Sequence, residues 1–209
     1  MTVARMSARP SEFVAPEQFQ ALTGMNNPML ADAMWQTAVL RLSIDDFLRE
    51  SLLPLPSLPS DVAGIYEKIA FSSQEELMSL ARVLSVLINF AAVVATTDSK
   101  RLNAVVEWCG NAGLLDLLRN RKLPEFKSFP VLSSLSIDML ELYASHILVH
   151  LIGVLPDGYR QRLLLRYPPG TYSAERAFAD DDPDRLVFDK YLQLAVPLWP
   201  SAGERHAQD

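Results

Sequence analysis

Cysteine, histidine, glycine and basic charge are all scarce in this 209-residue chain, and each shortage excludes a class of function. The one cysteine, Cys109, allows neither an internal disulfide nor a cysteine-rich zinc site, and suits a reducing compartment. It lies in Trp108-Cys109-Gly110 at the end of a helical pattern, where a buried structural thiol is expected. None of the 8 glycines falls in a GxGxxG, Walker A or GxSxG pattern, so nucleotide binding and covalent catalysis have no signature here. With 19 Lys and Arg against 25 Asp and Glu, the formal net charge is -6. A chain of that sign repels polyanions, and no nucleic-acid partner is expected. Arg5 and Arg9 are followed by Pro10, Ser11 and Glu12 where a secretion signal needs a continuous apolar run. Val83 to Ala95 is too short to cross a bilayer and contains Asn89, while Leu135 to Leu155 carries Asp138, Glu141, His146 and His150. No direct membrane insertion is expected, and the reading is cytoplasmic.

What is present is a core. The chain is 49% hydrophobic, 21% charged and 9% aromatic, a globular profile, and at this length it can bury roughly 70% of its unfolded surface. The pattern predicts a mainly α fold: one globular multi-helix domain over 13–200, a flexible leader over 1–12 and a flexible tail over 201–209. Pro16 to Leu22 reads as a short helix closed by Gly24, and Asn27-Pro28 as a cap followed by a first helical residue. Leu30, Met34, Ala38 and Leu42 then recur every four residues, and a second helix is expected over Ile44 to Leu53. Pro54, Pro56 and Pro59 end it, in a segment that reads either as a stiff connector or as a polyproline ligand. Ser72 and Ser73 with Glu75 and Glu76 predict a capping box, after which apolar residues at spacings of three and four continue from Leu77 to Val94. Further helices are expected over Lys100 to Trp108, Leu114 to Arg121, from Ser133 or Ser134 to Ile152, and from Pro183, capped by Asp182, to Ala195. Arg160 to Tyr167 alternates arginine with leucine and tyrosine, so a short strand or hairpin competes there with a helical turn.

Three constellations carry some chemistry. His146 and His150 stand four apart on one helical face, as zinc ligands of metalloprotease helices do, but position 147 is Ile where the catalytic glutamate would be, and no metal is expected. Asp180, Asp181, Asp182 and Asp184 lack the alternation, central glycine and distal glutamate of a calcium loop, and read as a solvated helix start. The concentration of positive charge at Arg160, Arg162 and Arg166, aided by Arg119, Arg121 and Lys122 and flanked by Tyr159 and Tyr167, suits a protein interface, with a solvated face as the bland alternative. If the strip meets an acidic partner, Arg160→Glu with Arg162→Glu should weaken binding and spare the fold. No catalytic residue and no cofactor is predicted.

The order of features resembles the SctK family, small cytoplasmic accessory proteins of bacterial type III secretion sorting platforms that include the YscK, PscK, MxiK, OrgA and Hrp-type members. Gly158-Tyr-Arg-Gln-Arg-Leu-Leu-Leu-Arg-Tyr-Pro168 is similar to its basic, Leu-rich segment ending in proline. Arg185-Leu-Val-Phe-Asp-Lys-Tyr-Leu-Gln-Leu-Ala-Val-Pro-Leu-Trp199 is similar to its closing helix. Ala38-Val-Leu-Arg-Leu-Ser-Ile-Asp-Asp-Phe47 and the helix from Glu75 onward fit the order loosely, and where the family's next helix often opens on His-Gly this chain has Ala95-Thr-Thr-Asp-Ser99. The resemblance implies a non-enzymatic adaptor, cytoplasmic and peripheral to the inner membrane, linking the forkhead-associated-like domain of the ring protein SctD to the pod protein SctQ. The other readings are a helical export chaperone and a small metal-dependent hydrolase built on His146 and His150.

Overall fold

Proline placement, side-chain caps and glycine stops set most of the helix ends. The computed structural model describes residues 3–25, 27–110, 113, 114, 132, 136–173 and 182–199. Among them are eleven α-helices and no strand: α1 (Val3–Ala8), α2 (Pro16–Thr23), α3 (Pro28–Gln36), α4 (Ala38–Ser51), α5 (Ser60–Ala70), α6 (Gln74–Ile88), α7 (Phe90–Ala95), α8 (Ser99–Cys109), α9 (Ile137–Gly153), α10 (Asp157–Leu164) and α11 (Pro183–Ala195). The mainly α class expected from periodicity is the class observed. By its internal contacts the chain divides into two compact units, Met1–Phe71 with Leu155–Glu175, and Ser72–Val154 with Arg176–Asp209.

In the first unit, residues 3–12 depart from the loose leader expected of them. They form α1 and a 3-10 turn over Pro10–Glu12, and Met6 is fully buried with Val14, Phe19, Ile44, Leu48 and Leu165. Apolar residues too few for a signal peptide are still enough to anchor a short helix. Asn27 caps α3 through its side chain, which accepts from the Leu30 amide, as Asn-Pro predicts. The continuous four-residue periodicity from Leu30 to Leu42 is interrupted all the same. Thr37 is extended (φ -88, ψ 115), its hydroxyl donates to the Ala33 carbonyl at 2.7 Å, and Arg41 donates from Nε and Nη2 to the Trp35 carbonyl, so side chains replace the backbone bonds lost at the break. Gly24, at φ +67, closes α2 in the left-handed conformation that glycine adopts without strain.

The second unit is built on α6, whose capping box has both halves: the Glu76 amide donates to Ser73 Oγ and the Ser73 amide to Glu76 Oε2. Such a cap contributes about 1 kcal/mol. Leu77, Leu80, Ala81, Val83, Leu84, Val86 and Leu87 are fully buried, so most sides of α6 face other helices, chiefly α9 and α11. The apolar run to Val94 is not one helix, because Asn89 stops it: its Nδ2 donates to the Ser85 carbonyl at 2.9 Å while its Oδ1 accepts from the Leu132 amide at 3.0 Å. A buried amide bonded in this way competes with helix continuation, and the chain resumes as α7. α9 starts at Ile137, later than Ser133 or Ser134, with Leu140, Ala144, Ile147 and Leu151 buried. Asp182 caps α11 as expected, accepting from the Asp184 amide at 2.9 Å. The expected helix over 114–121 and the tail over 201–209 lie outside the described residues.

Candidate protein interface

The arginine strip is helical, not a strand. α10 begins after Pro156, and its alternation of arginine and leucine misleads because a nominally polar position faces inward: Arg162 is 5% exposed, beside the buried Tyr159 and Leu163. Arg162 Nη1 donates to the Gly158 carbonyl at 2.8 Å and across to the Leu53 carbonyl at 2.9 Å. Gln161 completes the clamp, accepting from the Leu53 amide at 2.6 Å and donating to the Ser51 carbonyl at 2.8 Å. These bonds hold the start of the proline segment, Pro54 to Pro59, against α10, which supports its reading as a connector. Burial pulls the Arg162 guanidinium below its ordinary value, with Tyr159 opposing.

The other members of the strip are similarly engaged. Arg160 pairs with Asp157 at 2.5 Å and its side chain is only 12% exposed. Arg166 donates to the Ala70 carbonyl at 3.0 Å and lies over the rings of Phe71 and Tyr167. Tyr159 packs on Tyr66 with ring centroids 5.9 Å apart, and Tyr167 meets Tyr172 edge-on at 5.1 Å. Arg162 and Tyr159 are therefore interior groups, and the double charge reversal cannot spare the fold as the sequence alone led us to expect. Arg119, Arg121 and Lys122 lie outside the described residues.

His146 is exposed and His150 half-buried, and the His150 Nδ1 sits 3.0 Å from the His146 carbonyl, a contact internal to α9. Among the described residues no three of His, Cys, Asp and Glu are grouped as metal ligands. Asp182 serves as a helix cap, and Asp180 and Asp181 are outside the described residues. Cys109 is buried, its Sγ 3.8 Å from the Arg82 carbonyl, and burial pushes its thiol up to about 12. A thiol of that kind is inert at neutral pH, as a structural role requires.

A cluster the sequence did not single out joins α6, α8 and α9. Arg82 grips Glu141 in a two-pronged pair, Nε to Oε2 and Nη2 to Oε1, both at 3.1 Å, while Trp108 Nε1 donates to Oε2 at 2.7 Å and Arg82 lies 5.5 Å from the Trp108 ring centre. The Arg82 hydrogen bonds, helped by the indole and opposed by desolvation, hold the Glu141 carboxyl below the ordinary 4.5. A carboxylate with a depressed value stabilises the fold above the unfolded-state pKa, and that contribution is lost as pH falls through the folded one. Glu141→Gln should thus flatten the acid limb of the stability profile below about pH 4.5, read by Trp fluorescence. Its cost at neutral pH should stay within about 1 kcal/mol, because the Arg82 and Glu141 side chains are 36% and 41% exposed and solvent screens them.

Among the described residues, several large apolar side chains face solvent. On α9, Met139, Leu142 and Val149 are exposed and fall with His146 at spacings of three, four and three, one continuous helical row. In the first unit, Met29 (82% exposed), Leu30, Val39 (73%), Leu40 and Leu42 stand out along α3 and α4. No helix among the described residues is long and apolar enough to cross a membrane. Compared with protein-family models, curated proteins and solved structures, the chain matches none.

Proposed function

We propose that this chain is a non-enzymatic protein adaptor. The observation that carries the reading is that each of its two compact units leaves large apolar side chains of one helix face in solvent: Val39 and Leu42, one turn apart on α4, in one, and Met139, Leu142 and Val149 along α9 in the other. Scattered exposed aliphatics need no explanation, but aligned ones mark docking surfaces. A connector between two proteins needs two such faces.

The particular adaptor we propose is a member of the SctK type, acting in the cytoplasm beneath a bacterial inner membrane and joining the ring protein SctD to the pod protein SctQ of a type III secretion sorting platform. The support is the resemblance of Gly158 to Pro168 and of Arg185 to Trp199. Pull-down of tagged protein from a secreting cell tests the reading: both platform proteins should be recovered together. Recovery of an exported substrate instead would favour an export chaperone, and stoichiometric zinc lost on His146→Ala with His150→Ala would favour a hydrolase.

A further inference from the structure

A cleft of about 240 Å³ opens between the Ala8–Glu12 stretch and α4, walled by Arg9, Ser11, Glu12, Arg41, Asp45 and Arg49. Its three arginines outnumber its two carboxylates, a local reversal in a chain whose net charge is -6. Both acids are committed within the fold. Glu12 accepts from Arg5 at 3.1 Å and from Arg9 at 3.2 Å, and Asp45, 4% exposed, accepts the Ser11 amide at 2.8 Å. Among the described residues, Arg49 is paired only with Asp46, an exposed neighbour one turn away on α4 at 2.7 Å. Arg41 makes no ion pair with a carboxylate among them: its guanidinium is forked on the Trp35 carbonyl. Ser11 is 4% exposed, and its hydroxyl has no hydrogen-bond partner there. Leu42, 65% exposed, forms the lip of the cleft, and Val39 continues the apolar surface one turn back along α4.

We propose that this cleft docks an acidic, aliphatic segment of a partner protein, with a carboxylate on Arg41 and Arg49 and aliphatic side chains on Leu42 and Val39. The proposal deepens the adaptor reading and rests on it. Charge decides the occupant. A carboxylate brought to Arg41 would pair with a guanidinium that forms no ion pair among the described residues, whereas a basic segment would add to an excess of arginines. The exposed aliphatics beside the cleft favour a peptide over a small anion, which would leave Leu42 and Val39 uncovered.

The test uses the full chain and a fluorescent synthetic peptide of glutamate and leucine in helical alternation, with glutamine-for-glutamate and lysine-for-glutamate versions, and inorganic phosphate as competitor. We expect the glutamate peptide to bind and the glutamine version to bind at least about tenfold more weakly, the equivalent of about 1.4 kcal/mol. Arg41→Glu should lose the glutamate peptide and gain the lysine peptide, and Leu42→Ser should weaken the first. If Arg41→Glu melts early, Arg49→Glu, whose present partner faces solvent, makes the same charge reversal. Equal binding of the glutamine peptide would overturn the proposal, as would displacement by phosphate alone or indifference to the Arg49 and Leu42 changes. Recovery of both platform proteins by a folded Arg41→Glu variant would overturn the cleft and leave the adaptor reading standing. Peptide binding as described, without recovery of either platform protein by the wild type, would overturn the adaptor reading alone.

Discussion

Arg162→Glu is expected to unfold the first unit at temperatures the wild type survives, with a loss of about 3–5 kcal/mol, the scale of an uncompensated buried charge. The guanidinium is 5% exposed and bonded to the carbonyls of Leu53 and Gly158. A carboxylate there would place negative charge against both of those oxygens. Arg160→Glu breaks the i,i+3 pair with Asp157 at a side chain 12% exposed, but it leaves the bonds from Arg162 to Leu53 and Gly158 in place and should cost less than Arg162→Glu. Thermal melts of the two single variants separate a structural strip from a surface one. If Arg162→Glu melted with the wild type, the clamp on Leu53 would be incidental.

Gly158→Ala is the second large effect, and it runs against helix propensity. Alanine in a helix is favoured over glycine by about 1 kcal/mol. A Cβ at 158, however, would stand 2.5 Å from the Pro54 carbonyl oxygen and 3.1 Å from its carbon, contacts with backbone that cannot swing aside. Forcing α10 off the proline connector is overpacking, worth about 1–3 kcal/mol or more, and should exceed the propensity gain. At Gly64, inside α5, an added Cβ would meet nothing within 4 Å, so Gly64→Ala should stabilise by up to about 1 kcal/mol. Opposite signs in denaturant titrations are the expected pair of results, and stabilisation by both changes would show that α10 does not lean on Pro54.

Helix capping was the most legible part of the sequence. Asn27-Pro28, the Ser73 and Glu76 box, Asp182-Pro183 and the glycines at 24 and 110 mark ends through bonds made within four residues, so local sequence contains both partners. The breaks at Thr37 and Asn89 were not legible, because they interrupt apolar periodicity through single polar side chains: Asn89 is stabilised by the Leu132 amide, 43 residues away. The strip at 160–167 failed for a related reason. Arginine reads as surface in any pattern argument, and only the Leu53 carbonyl, 109 residues distant, shows that Arg162 belongs inside. Likewise, Glu141 looked like one more charge on a helix, whereas Arg82 and Trp108 come to it from two other helices. The exposed rows were hidden by their own hydrophobicity, since Leu42 and Leu142 fit a core pattern as well as their buried neighbours do.

The claim that the chain joins two proteins is tested most directly by disabling one exposed row at a time. Val39→Glu with Leu42→Glu changes the first unit, and Leu142→Glu with Val149→Glu changes the second, all at positions at least half exposed, where the fold should lose within about 0.5 kcal/mol per change. Each tagged variant is expressed in a secreting cell, checked by circular dichroism, and its recovered partners are compared with those of the wild type. The adaptor account predicts that the wild type recovers both the ring and the pod protein, and that each folded double variant loses one of them and keeps the other. Recovery of neither by the wild type, or of both by both variants, would contradict it.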